Sequence, residues 1–155
     1  LENKKICFFG QEFEGKVIFT GMIDELFEYK LGALPYRSLD LEFETLERDY
    51  FQEAAVVNYP NDYDFTRITE FKHIHPVEGK KTVILKEYPK AYQTGKDIPY
   101  YPVFKEESKE LYNKYRELSD GFENLVLVGR LADYRYYDMD DIVKKALEVF
   151  EEGLR

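Results

Sequence analysis

Arginines, tyrosines and aspartates crowd into Gly129–Asp141, GRLADYRYYDMDD. A short apolar run, Leu125–Val128, enters this stretch, and an amphipathic pattern over Met139–Leu154 leaves it. That is a strand-to-helix turn filled with hydrogen-bonding groups, where α/β-type folds put ligands. Arg130 can meet an anionic ligand there, or a carboxylate of the acidic turn. Asp138 suits the N-cap, with Asp140 and Asp141 in the first turn, where negative charge suits the helix dipole. If the turn is extended, Tyr134 and Tyr136 lie on one side and Tyr137 on the other. The plainer reading is a well-capped helix after a buried strand.

A second arginine, Arg67, stands in the middle of FTRITEFKHI with Phe65 and Thr69 two residues away on either side. Lining a cleft, it is a natural clamp for a phosphate or a carboxylate. On a solvated face it is one half of an ordinary cross-strand ion pair. Asn58 ends the preceding apolar run and is either a turn-former or a ligand contact. Tyr100 and Tyr101 are held between Pro99 and Pro102, in a rigid packed loop or at a ligand. His73 and His75 could share a face, but no third ligand stands at metal spacing, so no metal is expected.

These groups need elements to hold them. Lys16–Thr20 reads as a short buried strand and Ile23–Tyr29 as a helical turn or two. In Ser38–Thr45 the period is two: Leu39, Leu41 and Phe43 alternate with Asp40, Glu42 and Glu44, a strand with one wet face. Ala54–Tyr59, Phe65–Ile74 and Thr82–Tyr88 follow as further strands with turns between them. Pro89–Pro99 reads as an irregular loop, and PYYP as extended, because a residue before proline avoids the helical region. Lys105–Ser119 is a helix on the spacing of Leu111, Tyr115 and Leu118, closed by Gly121. The expected fold is a single α+β domain over residues 1–155, an antiparallel β-sheet meander with a few helices.

The composition sets bounds. Apolar residues make up 44% of 155, enough for a real core. The 14 Tyr and 12 Phe suit a wet, polar-lined groove as well as a core. The net charge of −9 argues against broad nucleic-acid binding, which needs a basic face. The single Cys7 permits no internal disulfide and points to a reducing cytosol. There is no apolar run near the length of a membrane span, and no GxGxxG, GxxxxGK, GxSxG or CxxC. The chain does not begin with Met, which suggests processing or a fragment.

GRLADYRYYDMD, PYYP followed by LYNKYREL, FTRITEFKHIHP, AVVNY and KVIFTGMIDELFEYKLG together resemble UDP-galactopyranose mutase, in that family's order and over nearly all the chain after Gly15. The resemblance implies an isomerase that interconverts UDP-galactopyranose and UDP-galactofuranose for cell-wall polysaccharide. It works through reduced FAD, whose N5 forms a covalent adduct with the sugar. It further implies that Arg67 contacts the UDP diphosphate, that Tyr101 and Tyr136 bind the phosphates, and that Asn58 contacts the substrate. Arg130 is similar to the arginine near flavin and sugar. Tyr137, Asp138, Met139, Asp140 and Ile142 fall in the segment that meets the flavin. No role attaches to His73 or His75. On this resemblance the chain looks like the C-terminal part of a cytoplasmic, homodimeric enzyme, ending in a strand–turn–helix that would complete an FAD-binding domain. The N-terminal Rossmann portion, a second diphosphate arginine and the helical domain are missing. The chain alone is therefore expected to be inactive. The alternative is a non-catalytic nucleotide-sugar-binding or interaction module.

Overall fold

The period-two stretches do become strands, but they pair in an order that the periodicity does not announce. The computed structural model describes residues 5–153. Along the chain run β1 (Cys7–Phe8), β2 (Gln11–Glu12), β3 (Val17–Phe19), α1 (Ile23–Leu26), β4 (Tyr36–Leu46), β5 (Val56–Asn58), β6 (Arg67–Glu70), α2 (Phe71–Ile74), β7 (Thr82–Ala91), β8 (Tyr101–Pro102), α3 (Glu106–Ser119), β9 (Leu125–Leu127) and α4 (Met139–Gly153). They fall into two compact units. One gathers the chain up to Tyr36 with the chain from Pro99 onward; the other is Arg37–Ile98.

In the Arg37–Ile98 unit the strand order is β5-β6-β7-β4, antiparallel throughout. The expected meander holds for β5, β6 and β7. It fails for β4, which lies beside β7, the last strand of the unit, rather than beside β5. The long register from Arg37↔Ala91 to Leu46↔Thr82 explains the choice, since no other pairing in the unit aligns as many residues. β7 runs on through Pro89, expected to begin a loop. The β6 register ends at Glu87, so the proline's missing N–H is tolerated on that side.

Two expectations are corrected here. Phe65–Ile74 is not one strand: it is extended only over Arg67–Glu70, after which Phe71–Ile74 turns helical and His75 N–H closes the turn on Phe71 O at 2.8 Å. Tertiary partners override the alternation. Glu70, fully buried, accepts N–H bonds from Phe51 and Gln52 at 2.9 Å each and the Thr82 hydroxyl at 2.6 Å. Lys72, also buried, reaches Asp49 and the Gly79 carbonyl, and its cation lies over the Tyr50 ring. The apolar side of β4 is not the dry one either: Phe43 is 64% exposed while Ser38 is 1% exposed.

The other unit has a core of Met22, Ile23, Phe27, Leu34, Tyr36, Tyr115, Phe122, Leu127, Val128, Ala132, Tyr134 and Tyr137. α1 packs on α3, with Phe27 stacked on Tyr115. The Tyr115 hydroxyl accepts from Leu31 N–H and donates to Gly32 O. Buried Asp24 accepts from Leu34 N–H and the Tyr36 hydroxyl. β3 and β9, the strand of the expected terminal strand–turn–helix, pair in parallel outside the antiparallel sheet, and Ile18 in the supposedly buried β3 is 52% exposed. α4 begins at Met139 as expected and is described to Gly153; Leu154, the expected end, lies outside the described residues. None of its residues is buried. No helix among the described residues is long and apolar enough to cross a membrane.

Candidate functional site

The turn after β9 is built on backbone chemistry. Gly129 has φ +123°, a region that a β-carbon makes costly, and its N–H donates to the Asp133 carboxylate at 3.1 Å. One helical turn follows. It ends with Tyr134 N–H on Leu131 O and Arg135 N–H on Arg130 O, the paired bonds of a Schellman motif. Tyr134 occupies the left-handed position of that motif, φ +46°, where glycine or asparagine is usual. The turn is therefore not extended, and the expected faces are corrected. Tyr134 and Tyr137 are the buried pair, whereas Tyr136 is 53% exposed.

Arg130 is fixed from behind, its Nε–H donating to Tyr137 O at 2.9 Å. Its guanidinium carbon lies 5.4 Å from the Tyr101 ring centroid and 5.6 Å from that of Tyr136. The two rings stack 5.9 Å apart at 25°. The anticipated acid partner of Arg130 is thus replaced by two aromatic rings and a main-chain carbonyl. Asp138 acts on Tyr136 instead: its charge, and then its hydrogen bond, push the phenol above its ordinary range, with Arg130 opposing. The Asp138 carbonyl accepts Ile142 N–H, which makes Asp138 the residue that starts α4. Met139 is 79% exposed at the open end of the helix, and Asp140 is exposed beside it. The Tyr137 hydroxyl donates to Asp133 at 3.1 Å. A cleft of about 480 Å3 beside Tyr136 and Tyr137 is lined by Arg116, Arg135, Lys144 and Lys145 together with Asp133, Asp141 and Glu148. Three acids offset all but one of its four cations, and none of the expected phosphate ligands except Tyr136 reaches it.

In the Arg37–Ile98 unit the register places Asn58 opposite Arg67 and Arg67 opposite Glu87. Arg67 Nε–H donates to Asn58 Oδ1 at 3.1 Å, and its Nη1 lies 3.8 Å from Glu87 Oε2. Both readings of Arg67 are therefore met in part: it has a cross-strand acid, yet its side chain is 44% exposed, with Nη2 in neither contact. His73 Nε2 stands 2.9 Å from Gln52 O and 3.4 Å from Glu70, on the loop that Glu70 anchors. Among the described residues no group of three or more metal-ligating side chains gathers.

The expected residues thus assemble as two sets, each within its own unit: Asn58 with Arg67, and Tyr101 with Arg130 and Tyr136. Reading the residues in order overlooks Glu87, which comes from a strand distant in sequence, and misplaces Tyr134, whose left-handed backbone no side-chain pattern signals.

A family model described as UDP-galactopyranose mutase matches residues 2–136, which takes in both sets and stops short of Tyr137–Ile142. A dTDP-fucopyranose mutase of Escherichia coli is 40% identical over 136 residues, covering 86% of this chain and 36% of that protein. A probable UDP-galactopyranose mutase of Klebsiella pneumoniae is 41% identical over 140 residues, 89% of this chain and 36% of the relative. A UDP-galactopyranose mutase of Mycoplasma pneumoniae is 32% identical over 160 residues, all of this chain and 40% of the relative. The chain spans 36–40% of the length of these curated relatives.

Proposed function

Since this chain belongs to the UDP-galactopyranose mutase family, we propose that it forms the C-terminal portion of a flavin-dependent isomerase interconverting UDP-galactopyranose and UDP-galactofuranose. Arg67 contacts the diphosphate, Asn58 the substrate, and Tyr101 and Tyr136 the phosphate oxygens. As the anomeric bond breaks, charge gathers on the departing diphosphate. Within its own unit each set is oriented in advance, Arg67 by Asn58 and the two phenols by Arg130, and an oriented donor stabilises developing charge at less reorganisation cost. Arg130 fixes the backbone that leads into α4 through the Tyr137 carbonyl. A reduced flavin, when bound, supplies the nucleophile for the anomeric carbon and leaves no net redox change.

The residues present fit such a group. The first turn of α4, at Asp138, Met139 and Asp140, carries main-chain N–H donors, its end is open, and Ile142 follows in the same turn. Two further features support completion by a dinucleotide-binding portion. A two-stranded parallel pair such as β3–β9 is not stable unaided, since parallel sheets are normally covered on both faces. The apolar stripe of α4 also lies uncovered, with Val143 58%, Leu147 59% and Phe150 51% exposed. We place the whole enzyme in the cytoplasm, as a homodimer.

The observation that carries this reading is the gathering of Arg130 and Tyr136 from the turn after β9 with Tyr101 from β8, a cation and two phenols from two segments. That is the donor set a diphosphate demands. The test is turnover by the native protein that carries this chain, in its full reading frame, with chemically reduced FAD and UDP-galactopyranose. The furanose isomer is expected, and dTDP-fucopyranose serves as a competing substrate. Failure to form the furanose isomer, with no UDP bound in calorimetry, would overturn the proposal.

A further inference from the structure

We propose that Tyr134 is a positioning residue for diphosphate binding, its hydroxyl registering the Tyr101 segment against the turn that carries Arg130 and Tyr136. This rests on the reading above that Tyr101 and Tyr136 hold the diphosphate. The Tyr134 hydroxyl lies 2.8 Å from Pro35 O and 2.9 Å from Val103 O, so one proton is shared between two carbonyls of two different segments. Those segments also meet directly, with Val103 N–H donating to Pro35 O at 3.0 Å. Val103 follows Tyr101 by two residues, and Tyr134 precedes Tyr136 by two. The buried hydroxyl thus links, by hydrogen bonds, the segments that carry the two phenols stacked 5.9 Å apart.

Packing alone does not account for this side chain. The ring fills the core against Tyr36, Phe104 and Tyr112, and a phenylalanine would do so equally well. A hydrophobic residue with a β-carbon is also disfavoured at the left-handed position of a Schellman motif. A tyrosine there accepts backbone strain that glycine would relieve, and what it gains over phenylalanine is the hydroxyl bridge. The Ser108 hydroxyl of α3 approaches the same phenol and adds a third segment.

The test is calorimetric titration of the native protein with UDP and with uridine. Tyr134→Phe is expected to weaken UDP about tenfold and to leave uridine unchanged, because the uridine carries no diphosphate; the size is that of one lost hydrogen bond to a charged-group network. Tyr101→Phe is expected to do the same. The double variant is expected to be no weaker than Tyr101→Phe, since a residue acting through another is non-additive with it. Tyr112→Phe, in the same ring cluster, is the control and should bind UDP like the parent. UDP binding unchanged in Tyr134→Phe, or a loss that adds in full to Tyr101→Phe, overturns the inference while the clamp reading stands. Unchanged binding in both Tyr101→Phe and Tyr136→Phe overturns the clamp reading and this role with it. If Tyr134→Phe melts below the assay temperature, the titrations of parent and variants are repeated below the melting temperature of that variant, and the same outcomes decide.

Discussion

Arg67 shows how a single side chain is poised between a structural and a chemical role. Its Nε is spent on Asn58 and its Nη1 leans toward Glu87, an arrangement that pre-orients the guanidinium and engages Nη2 in neither contact. Removing it as Arg67→Ala should cut turnover of the native protein by about 10²-fold or more, the scale of a lost transition-state donor, with flavin absorbance retained. Arg67→Lys should not restore it, because a point charge cannot copy a planar fork held at both ends. Glu70 is the opposite case, a buried carboxylate devoted to structure. Burial pushes its pKa up, but the Thr82 hydroxyl, the Gln52 and Phe51 N–H groups and the His73 charge outweigh it, so the net shift is downward. A depressed folded pKa gives stability that is present above the ordinary carboxylate range of about 4.3 and lost as pH falls through the folded value. Melting curves should therefore fall below that range in the parent. Glu70→Gln should be destabilised by about 1–3 kcal/mol at pH 7 and converge on the parent in acid.

The secondary-structure elements divide by length into those the sequence announces and those it does not. α3 and α4 are long and strongly periodic, and both appear where Leu111, Tyr115 and Leu118, and Ile142, Val143, Ala146 and Leu147, place them. FTRITEFKHI is the opposite. Its alternation continues past Glu70, so nothing in the pattern predicts that Phe71–Ile74 curls; the decision belongs to Glu70 and Lys72 and to partners from Asp49 to Thr82. In the candidate site Asn58 was legible as the end of a strand beside a turn, Arg67 as a strand arginine, although it opens β6 rather than standing in mid-strand, and Arg130 as the residue after Gly129. The separate fates of Tyr134 and Tyr136 were not, because φ +46° at Tyr134 breaks the period that any face assignment assumes. α4 yields a prediction of its own. With Val143 and Leu147 uncovered, the 155-residue chain should bind a hydrophobic dye such as ANS. Val143→Lys with Leu147→Lys should reduce that signal while changing stability by less than about 0.5 kcal/mol per site, as exposed substitutions do.

For the whole chain, the deciding quantity is its share of the relatives, 36–40% of their length. Purified alone, the 155-residue chain is expected to retain no flavin on gel filtration and to form no furanose isomer from UDP-galactopyranose; yellow, active protein would contradict this. The division into units has a temporal meaning too. Arg37–Ile98 is one uninterrupted stretch, whereas the other unit is made from the two stretches that flank it. Val17–Phe19 pairs with Leu125–Leu127, so on a translating ribosome β3 emerges roughly 5–20 s before its partner at ordinary elongation rates. The intervening stretch can condense during that wait. The strand that follows the Arg37–Ile98 unit closes what the strand before it opened.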